Sequence, residues 1–250
     1  MKKKSKKFNI PALVSAPAIT ALSAGIMGIG AIVKRKSVRG VKADYKTSVK
    51  RVVKTERCAR SLTDDAMFAM IDTFERKMPY SGGHSRRVAV ISRRIGEKIG
   101  IKDLDGLYYA ALLHDVGKVY MSDKLLNKSK LSMTPEEREE WNAHPIAGAE
   151  FISSVPELKR YAGAVKHHHE RYDGSGYPDA MAGDSIPIFS RIIGVADAYE
   201  AMSSERPGRE AYPREYIMGE FNKCSGNQFD PKIVKAMMSV IADMTADEHR

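Results

Sequence analysis

HHERYDGSGYP, at residues 168–178, is the stretch that most narrows the fold and chemistry of this chain, together with the earlier run HDVGK at residues 114–118. The later run places two adjacent imidazoles before a turn rich in Asp and Gly, and the earlier run supplies a His-Asp pair. Such groups are costly to bury in a fold that does not use them. Imidazole nitrogens and carboxylate oxygens without sulfur suit iron, manganese or zinc. The two runs therefore predict a metal site that handles a phosphate ester.

The periodicity around these runs is helical. From about residue 61 onward, apolar residues recur at three- and four-residue steps, as Val88, Ile91 and Ile95 do. The run TPEE at residues 134–137 is a helix start, with Thr as cap and Glu three residues later. No segment shows strand alternation, and the one long non-helical loop, residues 171–186, has a length typical of functional loops. The sequence predicts an all-α domain.

The predicted helices bracket the two diagnostic runs. One helix, residues 105–116, should deliver His114 and Asp115 at its end, and Lys118 would share a face with His114 if that helix continued. Further helices are predicted at about residues 145–153, 157–169, 187–203, 213–224 and 231–243.

Positive charge is concentrated at the N-terminus. The net charge is +10, but it is unevenly distributed. Residues 1–60 hold 16 Lys and Arg and two acidic residues, whereas residues 61–250 hold 25 Lys and Arg and 29 Asp and Glu. A basic segment beside an apolar stretch favours an anionic membrane surface, and the acidic remainder argues against nucleic acid as a partner. Cys58 and Cys224 form no CxxC motif, which argues against a disulfide framework and a thiolate metal site.

Residues 10–33 carry no charged side chain. As a helix they would span about 36 Å, enough to cross a hydrocarbon core of about 30 Å. A single-pass transmembrane helix is the favoured interpretation, and a cleaved signal peptide or a hydrophobic arm packed on a partner are the alternatives. The predicted organisation is a basic N-terminus and membrane anchor at residues 1–33, a basic connector at 34–60 and a catalytic domain at 61–250. Basic residues on both flanks leave the orientation open.

Six of the seven histidines lie in four separated motifs, at positions 84, 114, 144 and 167–169. A single His on a helix is more often a core or surface residue than a ligand, so each motif alone is a weak signal. Their joint occurrence, on helices that must pack around one core, favours a shared centre with the carboxylates of Asp115 and Asp197.

These motifs resemble the HD-GYP domain of the HD phosphohydrolase superfamily. The resemblance rests on HDVGK, on His144-Pro145, on HHE running into GYP at residues 176–178, and on Asp197, and it covers about residues 62–245. It implies an all-α HD-domain helical bundle with a C-terminal GYP extension and the site in its middle. Family members hydrolyse cyclic di-GMP to the linear dinucleotide, and in some cases onward to GMP.

The resemblance also implies roles for individual residues. Asp115 would bridge two divalent metals, iron or manganese, and Lys118 would contact the scissile phosphate. Tyr177, Arg206 and Arg209 match substrate-binding positions, although a solvated face is the alternative for the two arginines. The implied metal ligands are His84, His114, Asp115, His144, His168, His169 and Asp197.

Three positions depart from the family pattern. Some members bind a third metal through a Glu that here is Tyr80, so two metals are expected. Glu200 stands where many members have Asp, and its extra methylene could move a contact behind the ligands. His167 is the surplus histidine of the triplet, and a surface or supporting role is expected for it.

The leading hypothesis is a cyclic di-GMP phosphodiesterase that acts through a metal-bridging hydroxide. One alternative is an HD-type hydrolase of another cyclic dinucleotide. Another is a membrane-tethered sensor or scaffold that binds cyclic di-GMP or a diguanylate cyclase with little turnover. The expected location is the cell membrane with the catalytic domain in the cytoplasm, and a homodimer is a further expectation.

Overall fold

The computed structural model describes residues 65–77, 82–206 and 209–248, which belong to one compact unit that begins at Asp65. The predicted membrane anchor at residues 1–33 and the connector at 34–60 lie outside the described residues, as does Tyr80. Within the described ranges, no helix is both long enough and apolar enough to cross a membrane.

The described part of the chain is helical and contains no β-strand, so the all-α prediction is confirmed there. Short 3-10 turns occur at Val116–Tyr120, Lys130–Ser132, Lys159–Tyr161 and Gly183–Ser185. The α-helices are α1 (residues 65–75), α2 (His84–Ile99), α3 (Leu104–Leu112), α4 (Asp123–Leu126), α5 (Pro135–Asn142), α6 (His144–Ser153), α7 (Ala162–Lys166), α8 (Ile188–Ser203), α9 (Arg214–Cys224) and α10 (Pro231–Glu248).

Helix α2 lies at the middle of the bundle and packs against α3, α8 and α10. Its apolar stripe is the one that the sequence predicts, and Val88, Ile91 and Ile95 are buried. Burying that stripe fixes the side of α2 that carries His84, which therefore faces the interior of the bundle.

Two helix starts are fixed by carboxylates. Thr134 and Glu137 form the predicted capping box, with the Thr134 amide donating to the Glu137 carboxylate at 2.9 Å. Helix α2 has no cap of its own because Gly83 precedes it. Buried Glu75 of α1 takes that role, and its Oε1 accepts a hydrogen bond from the Ser85 amide at 2.8 Å.

The prediction of one helix from residue 105 to residue 116 is wrong at its C-terminal end. Helix α3 stops at Leu112, and the chain turns through Val116–Tyr120, where the Lys118 amide donates to the Asp115 carbonyl at 3.0 Å. Packing explains the turn, because Gly117 lies directly on α6. A Cβ atom at Gly117 would come within 2.0 Å of the His144 carbonyl oxygen and 2.5 Å of the Gly148 nitrogen. His114 and Lys118 therefore share a turn and no α-helical face.

The predicted helix at residues 157–169 is also too long. The structure has a 3-10 turn at Lys159–Tyr161 followed by the short helix α7, which ends before the three histidines. Helices α6, α8, α9 and α10 match the predicted ranges closely, and α10 runs farther than predicted.

Candidate metal centre

Asp115 lies at the centre of a cluster of histidines, in the turn that follows α3. Its Oδ1 is 3.3 Å from His144 Nε2 and 3.9 Å from His168 Nε2. Its Oδ2 is 3.4 Å from His114 Nε2 and 3.8 Å from His84 Nε2. One carboxylate thus faces two separate sets of imidazoles, one set with each oxygen.

The seven predicted ligands come together in these two sets, each with donor atoms within 4.8 Å of one another. His84 Nε2 lies 3.3 Å from the Asp197 carboxylate, which extends inward from α8. The first set comprises Asp115, His144, His168 and His169, and the second comprises His84, His114 and Asp197.

Three of the imidazoles are oriented by the main chain. Nδ1 of His114, His144 and His168 lies in each case 2.7 Å from the carbonyl oxygen of the residue three positions earlier. A ring N–H at Nδ1 donates to that carbonyl and leaves Nε2 as the lone-pair nitrogen directed at Asp115. This is the arrangement in which histidines coordinate metals.

His84 is oriented by a carboxylate. Its Nδ1 lies 2.6 Å from Glu200 Oε2, and the other Glu200 oxygen accepts from Arg87 Nε and from the Ser204 hydroxyl, each at 2.9 Å. Burial alone would raise the pKa of Glu200, but the bonds from His84 and Arg87 outweigh it and lower that pKa to about 2. Glu200 is therefore an anion that holds the His84 ring in place.

The protonation states in the cluster suit metal binding. Burial disfavours the Asp115 carboxylate, yet Lys118, whose Nζ donates to Oδ2, and His114 hold the pKa of Asp115 well below its usual range. Burial and neighbouring imidazoles lower the pKa of His168 and His169 well below the usual histidine value. Neutral His168 and His169 imidazoles beside an ionised Asp115 carboxylate are the states that a metal requires of its ligands. His84 differs, because burial is outweighed by its hydrogen bond to Glu200 and by the nearby carboxylates, which raise its pKa.

Two buried polar atoms in the cluster lack hydrogen-bond partners among the described residues. They are Asp115 Oδ1 and His114 Nε2. An unsatisfied buried acceptor costs about 1–3 kcal/mol, and bound cations would remove that cost. With a donor set of imidazole nitrogens and carboxylate oxygens, the residues present fit divalent metal ions.

Tyr177, from the GYP run, lies over one edge of the cluster. Its ring centroid is 5.0 Å from that of His169. Burial and the charges of Asp115 and Asp197 raise the pKa of the Tyr177 phenol, which therefore remains a hydrogen-bond donor.

The two predicted substrate-binding arginines are placed differently. An Arg206 Nη2 lies 3.6 Å from the Glu200 carboxylate, at the edge of the centre. Arg209 donates to the main-chain carbonyls of Ala201 and Ser204, and its guanidinium lies 4.3 Å from the Tyr212 ring centroid. Arg209 thus lies at the C-terminal end of α8, where it satisfies free main-chain carbonyls, and its contact with substrate stays a prediction.

The loop that carries GYP is held in place by close packing and by hydrogen bonds. Gly176 permits a close approach, because a Cβ there would come within 2.2 Å of the Arg171 nitrogen. The Glu170 carboxylate accepts hydrogen bonds from the main-chain amides of Asp179 and Met181. The surplus histidine, His167, lies outside both donor sets and contacts the Asp179 carboxylate at 2.9 Å. It supports the loop.

Sequence reasoning missed Lys130. This side chain lines a cavity of about 270 Å³ together with His168, His169 and Asp197. Its Nζ lies 5.0 Å from the centroid of a Trp141 ring, and Lys118 Nζ lies 5.2 Å from the same ring. Partial burial and the charge of Lys118 lower the pKa of Lys130. Nothing in the local run KSK distinguishes such a lysine from a solvated one.

The chain is similar to several known proteins. A family model described as an HD domain matches residues 69–233. A cyclic di-GMP phosphodiesterase from Thermotoga maritima is 33% identical over 190 residues, which cover 73% of this chain and 51% of that protein. A 3'3'-cGAMP-specific phosphodiesterase from Vibrio cholerae is 34% identical over 197 residues, with coverages of 74% and 42%. The chain thus spans about half or less of these relatives.

Two solved structures share the fold. One is a cyclic GMP-AMP specific phosphodiesterase of V. cholerae, with a TM-score of 0.56, 21% identity, and coverage of 71% of this chain and 48% of that one. The other is an HDGYP protein from Bdellovibrio bacteriovorus, with a TM-score of 0.52, 21% identity, and coverages of 64% and 51%.

Proposed function

Because the chain belongs to the HD domain family and is of its HD-GYP type, we propose that it is a metal-dependent phosphodiesterase that hydrolyses a cyclic dinucleotide, with cyclic di-GMP as the favoured substrate. The observation that carries the proposal is the position of Asp115 between two sets of imidazole and carboxylate donors. A single carboxylate that faces two donor sets is the arrangement expected of a two-metal hydrolase.

The proposed ligands are the seven residues of the two donor sets, and iron or manganese is the proposed metal. A pair of bound divalent metals would activate water near neutral pH and stabilise charge on the phosphoryl oxygens. Glu200 holds His84, and three main-chain carbonyls hold His114, His144 and His168, so the ligand geometry is set before substrate arrives.

Lys118 is the proposed phosphate contact. Its side chain is mostly buried and its ammonium group donates to the Asp115 carboxylate. Once cations neutralise that carboxylate, Lys118 can turn to a phosphate oxygen, where a fixed cation in a dry pocket stabilises developing charge. Tyr177 offers a phenolic donor on the His169 side, and Arg206 a guanidinium at the Glu200 side.

The choice of substrate needs a direct comparison. Cyclic di-GMP and 3'3'-cGAMP differ in one base, and both occur in the names of the relatives. Turnover of the two dinucleotides, measured side by side with the metal-loaded full chain, should favour cyclic di-GMP. Faster turnover of 3'3'-cGAMP would instead favour the second assignment.

Paired variants separate an enzyme from a binding scaffold. Asp115→Asn should lose metal and turnover together, because it removes the charge shared by both donor sets. Lys118→Met should retain the metals and lose turnover by about 100-fold or more, because bound cations replace its bond to Asp115 whereas its contact to the phosphate is lost. Asp105→Asn is the matched control, since Asp105 is exposed and pairs with Arg93.

The measurements are metal content per chain and the rate of dinucleotide hydrolysis. We expect about two metals per chain in the parent protein and in Lys118→Met. Stoichiometric metal without turnover in the parent protein would refute the enzymatic proposal and favour a scaffold.

A further inference from the structure

A second cavity, of about 620 Å³, is lined by residues of α2, α8, α9 and α10. Four guanidiniums line it, and we call it the arginine cavity. Three of them, Arg86, Arg87 and Arg94, extend from α2, and the fourth, Arg214, extends from the start of α9. The remaining wall is largely apolar and includes Ile217. Cationic groups thus surround an apolar surface in one concave site.

The positive charge of this cavity is only partly neutralised. Among the described residues, Glu200 is the one carboxylate that lines the cavity, and it is bonded to Arg87. Over the described ranges, Arg86 and Arg94 form no ion pair, although Arg86 lies 4.2 Å from the Phe68 ring centroid.

The neighbouring Arg93, unlike Arg86 and Arg94, is paired with carboxylates. Arg93 pairs with Asp105 at 2.9 Å and with Glu97 at 3.5 Å. The guanidinium that faces away from the cavity is neutralised, whereas the next one along the helix, Arg94, lines the cavity without an acidic partner. This difference arises within residues 61–250, where acidic residues outnumber basic ones.

We propose that the arginine cavity binds a nucleoside monophosphate at a site separate from the metal centre. Planar guanidiniums match phosphate oxygens in bidentate geometry and also stack on aromatic rings. The apolar wall, which includes Ile91 and Ile217, offers a surface for a base.

The cavity is connected to the metal centre through three side chains. Arg87 lines the cavity and bonds to Glu200, and Glu200 in turn holds His84. The Arg87 side chain is still 46% exposed, so a phosphate can reach it. A phosphate on Arg87 would compete with Glu200 and loosen the His84 ring. Occupancy should therefore slow hydrolysis, a consequence that rests on the proposed function, whereas binding itself does not.

Binding is tested with GMP and the full chain after removal of metals with a chelator, by isothermal titration calorimetry. We expect one saturable GMP site, retained in Asp115→Asn and in the control Arg93→Gln. The double variant Arg86→Gln/Arg94→Gln should bind GMP at least about tenfold more weakly, because two charge-assisted contacts are lost. Its basal hydrolysis should equal that of the parent protein, since neither residue touches the metal centre.

Two further ligands test whether the arginine cavity recognises both the nucleoside and the phosphate of GMP. Guanosine should not bind measurably, and inorganic phosphate should bind more weakly than GMP, because each lacks half of the recognised groups. Absence of GMP binding, binding that survives the double variant, or phosphate that binds as tightly as GMP would overturn the proposal. In the metal-loaded protein, GMP should slow hydrolysis in the parent and in Arg93→Gln but much less in the double variant.

Discussion

Lys130 and Lys118 place two ammonium groups over one Trp141 ring, each about 5 Å from the ring centroid. Partial burial and the charge of Lys118 both disfavour the protonated form of Lys130. The lowered pKa of Lys130 means that its neutral amine appears at a lower pH than that of an ordinary lysine. A lysine that lines the cavity beside His168, His169 and Asp197 suits an anionic ligand, which agrees with the proposed phosphodiester substrate.

The first prediction concerns the reactivity of Lys130. Because the neutral amine is the nucleophile, acetylation of Lys130 should begin at a lower pH than acetylation of Lys223, whose pKa is raised by its bond to Glu220. Site-resolved mass spectrometry after brief acetylation between pH 7 and pH 10 measures the two rates. Replacing Lys118 with Met should move the Lys130 profile to higher pH. Equal profiles for Lys130 and Lys223 in the parent protein would contradict the placement of Lys130.

For individual residues, the sequence predicts the seven donors of the metal centre better than it predicts the cationic side chains around them. The seven donors follow from motif order and a family resemblance, because each motif has a fixed spacing. Lys130 has no such spacing, so only the folded chain reveals it. The sequence likewise does not predict the contacts of Arg209 with the last carbonyls of α8. An arginine that caps a helix end and an arginine that binds a phosphate have the same local sequence signal.

The start of α2 determines where His84 lies, and Glu75 caps it from α1. Glu75→Ala should remove the acceptor for the Ser85 amide and destabilise the fold by about 0.5–2 kcal/mol, the usual cost of a lost helix cap. Glu75→Gln should cost less, because its amide oxygen can still accept that bond. Urea unfolding measures both, with exposed Glu97→Ala, near the other end of α2, as the control. Equal stability of Glu75→Ala and the parent would show that the cap contributes nothing.

The turn at Val116–Tyr120 packs directly on α6 through Gly117. Gly117→Ala places a methyl group 2.0 Å from the His144 carbonyl oxygen, and backbone atoms cannot yield as a side chain can. We expect a loss of about 1–3 kcal/mol or more, together with weaker metal binding, because Asp115 and His144 are forced apart.

Gly219 provides the matched control for Gly117. It lies within α9, and a methyl group added there would have no neighbouring atom within 4 Å, so Gly219→Ala should stabilise the helix by about 0.5–1 kcal/mol. Thermal unfolding of the two variants should shift in opposite directions. A stable, fully metal-binding Gly117→Ala protein would mean that the turn is not locked to α6.

Apolar periodicity predicted the long helices well and the ends of the short ones poorly. Helices α2 and α8 carry sustained apolar stripes, so their ranges could be read from spacing alone. The end of α3 is set by a contact with α6, which is distant in sequence, and no local signal encodes it. The same holds for α7, where the chain leaves the helix so that His168 and His169 can turn toward Asp115.

For the whole molecule, the sequence predicts the division of charge and the metal site of the folded unit. Acidic residues outnumber basic ones after residue 60, and the metal centre contributes two of those carboxylates. The basic residues before that point lie outside the described part of the chain, so their role remains a proposal. We propose that residues 10–33 anchor the protein in the cell membrane with the catalytic domain in the cytoplasm, where a diguanylate cyclase or a second copy of the chain could associate with it.

Membrane anchoring can be separated from its alternatives by extraction. An inserted 24-residue apolar helix should keep the full chain in the membrane fraction through 1 M salt and alkaline carbonate, whereas charge attraction alone would be screened. Ile26→Lys places a charge in the middle of the segment, at a cost of about 2.5–3.5 kcal/mol, and should shift protein to the extractable fraction.

Replacing the five lysines at positions 2, 3, 4, 6 and 7 with Gln should leave extraction resistance intact, because insertion and not surface charge holds the chain. Release of the parent protein by salt would contradict an anchor. The cause of membrane association would then be the attraction of basic residues for anionic lipid, about 1 kcal/mol for each residue. A mature N-terminus located by mass spectrometry beyond residue 33 would instead identify a cleaved signal peptide. A soluble full-length chain would favour an arm packed on a protein partner.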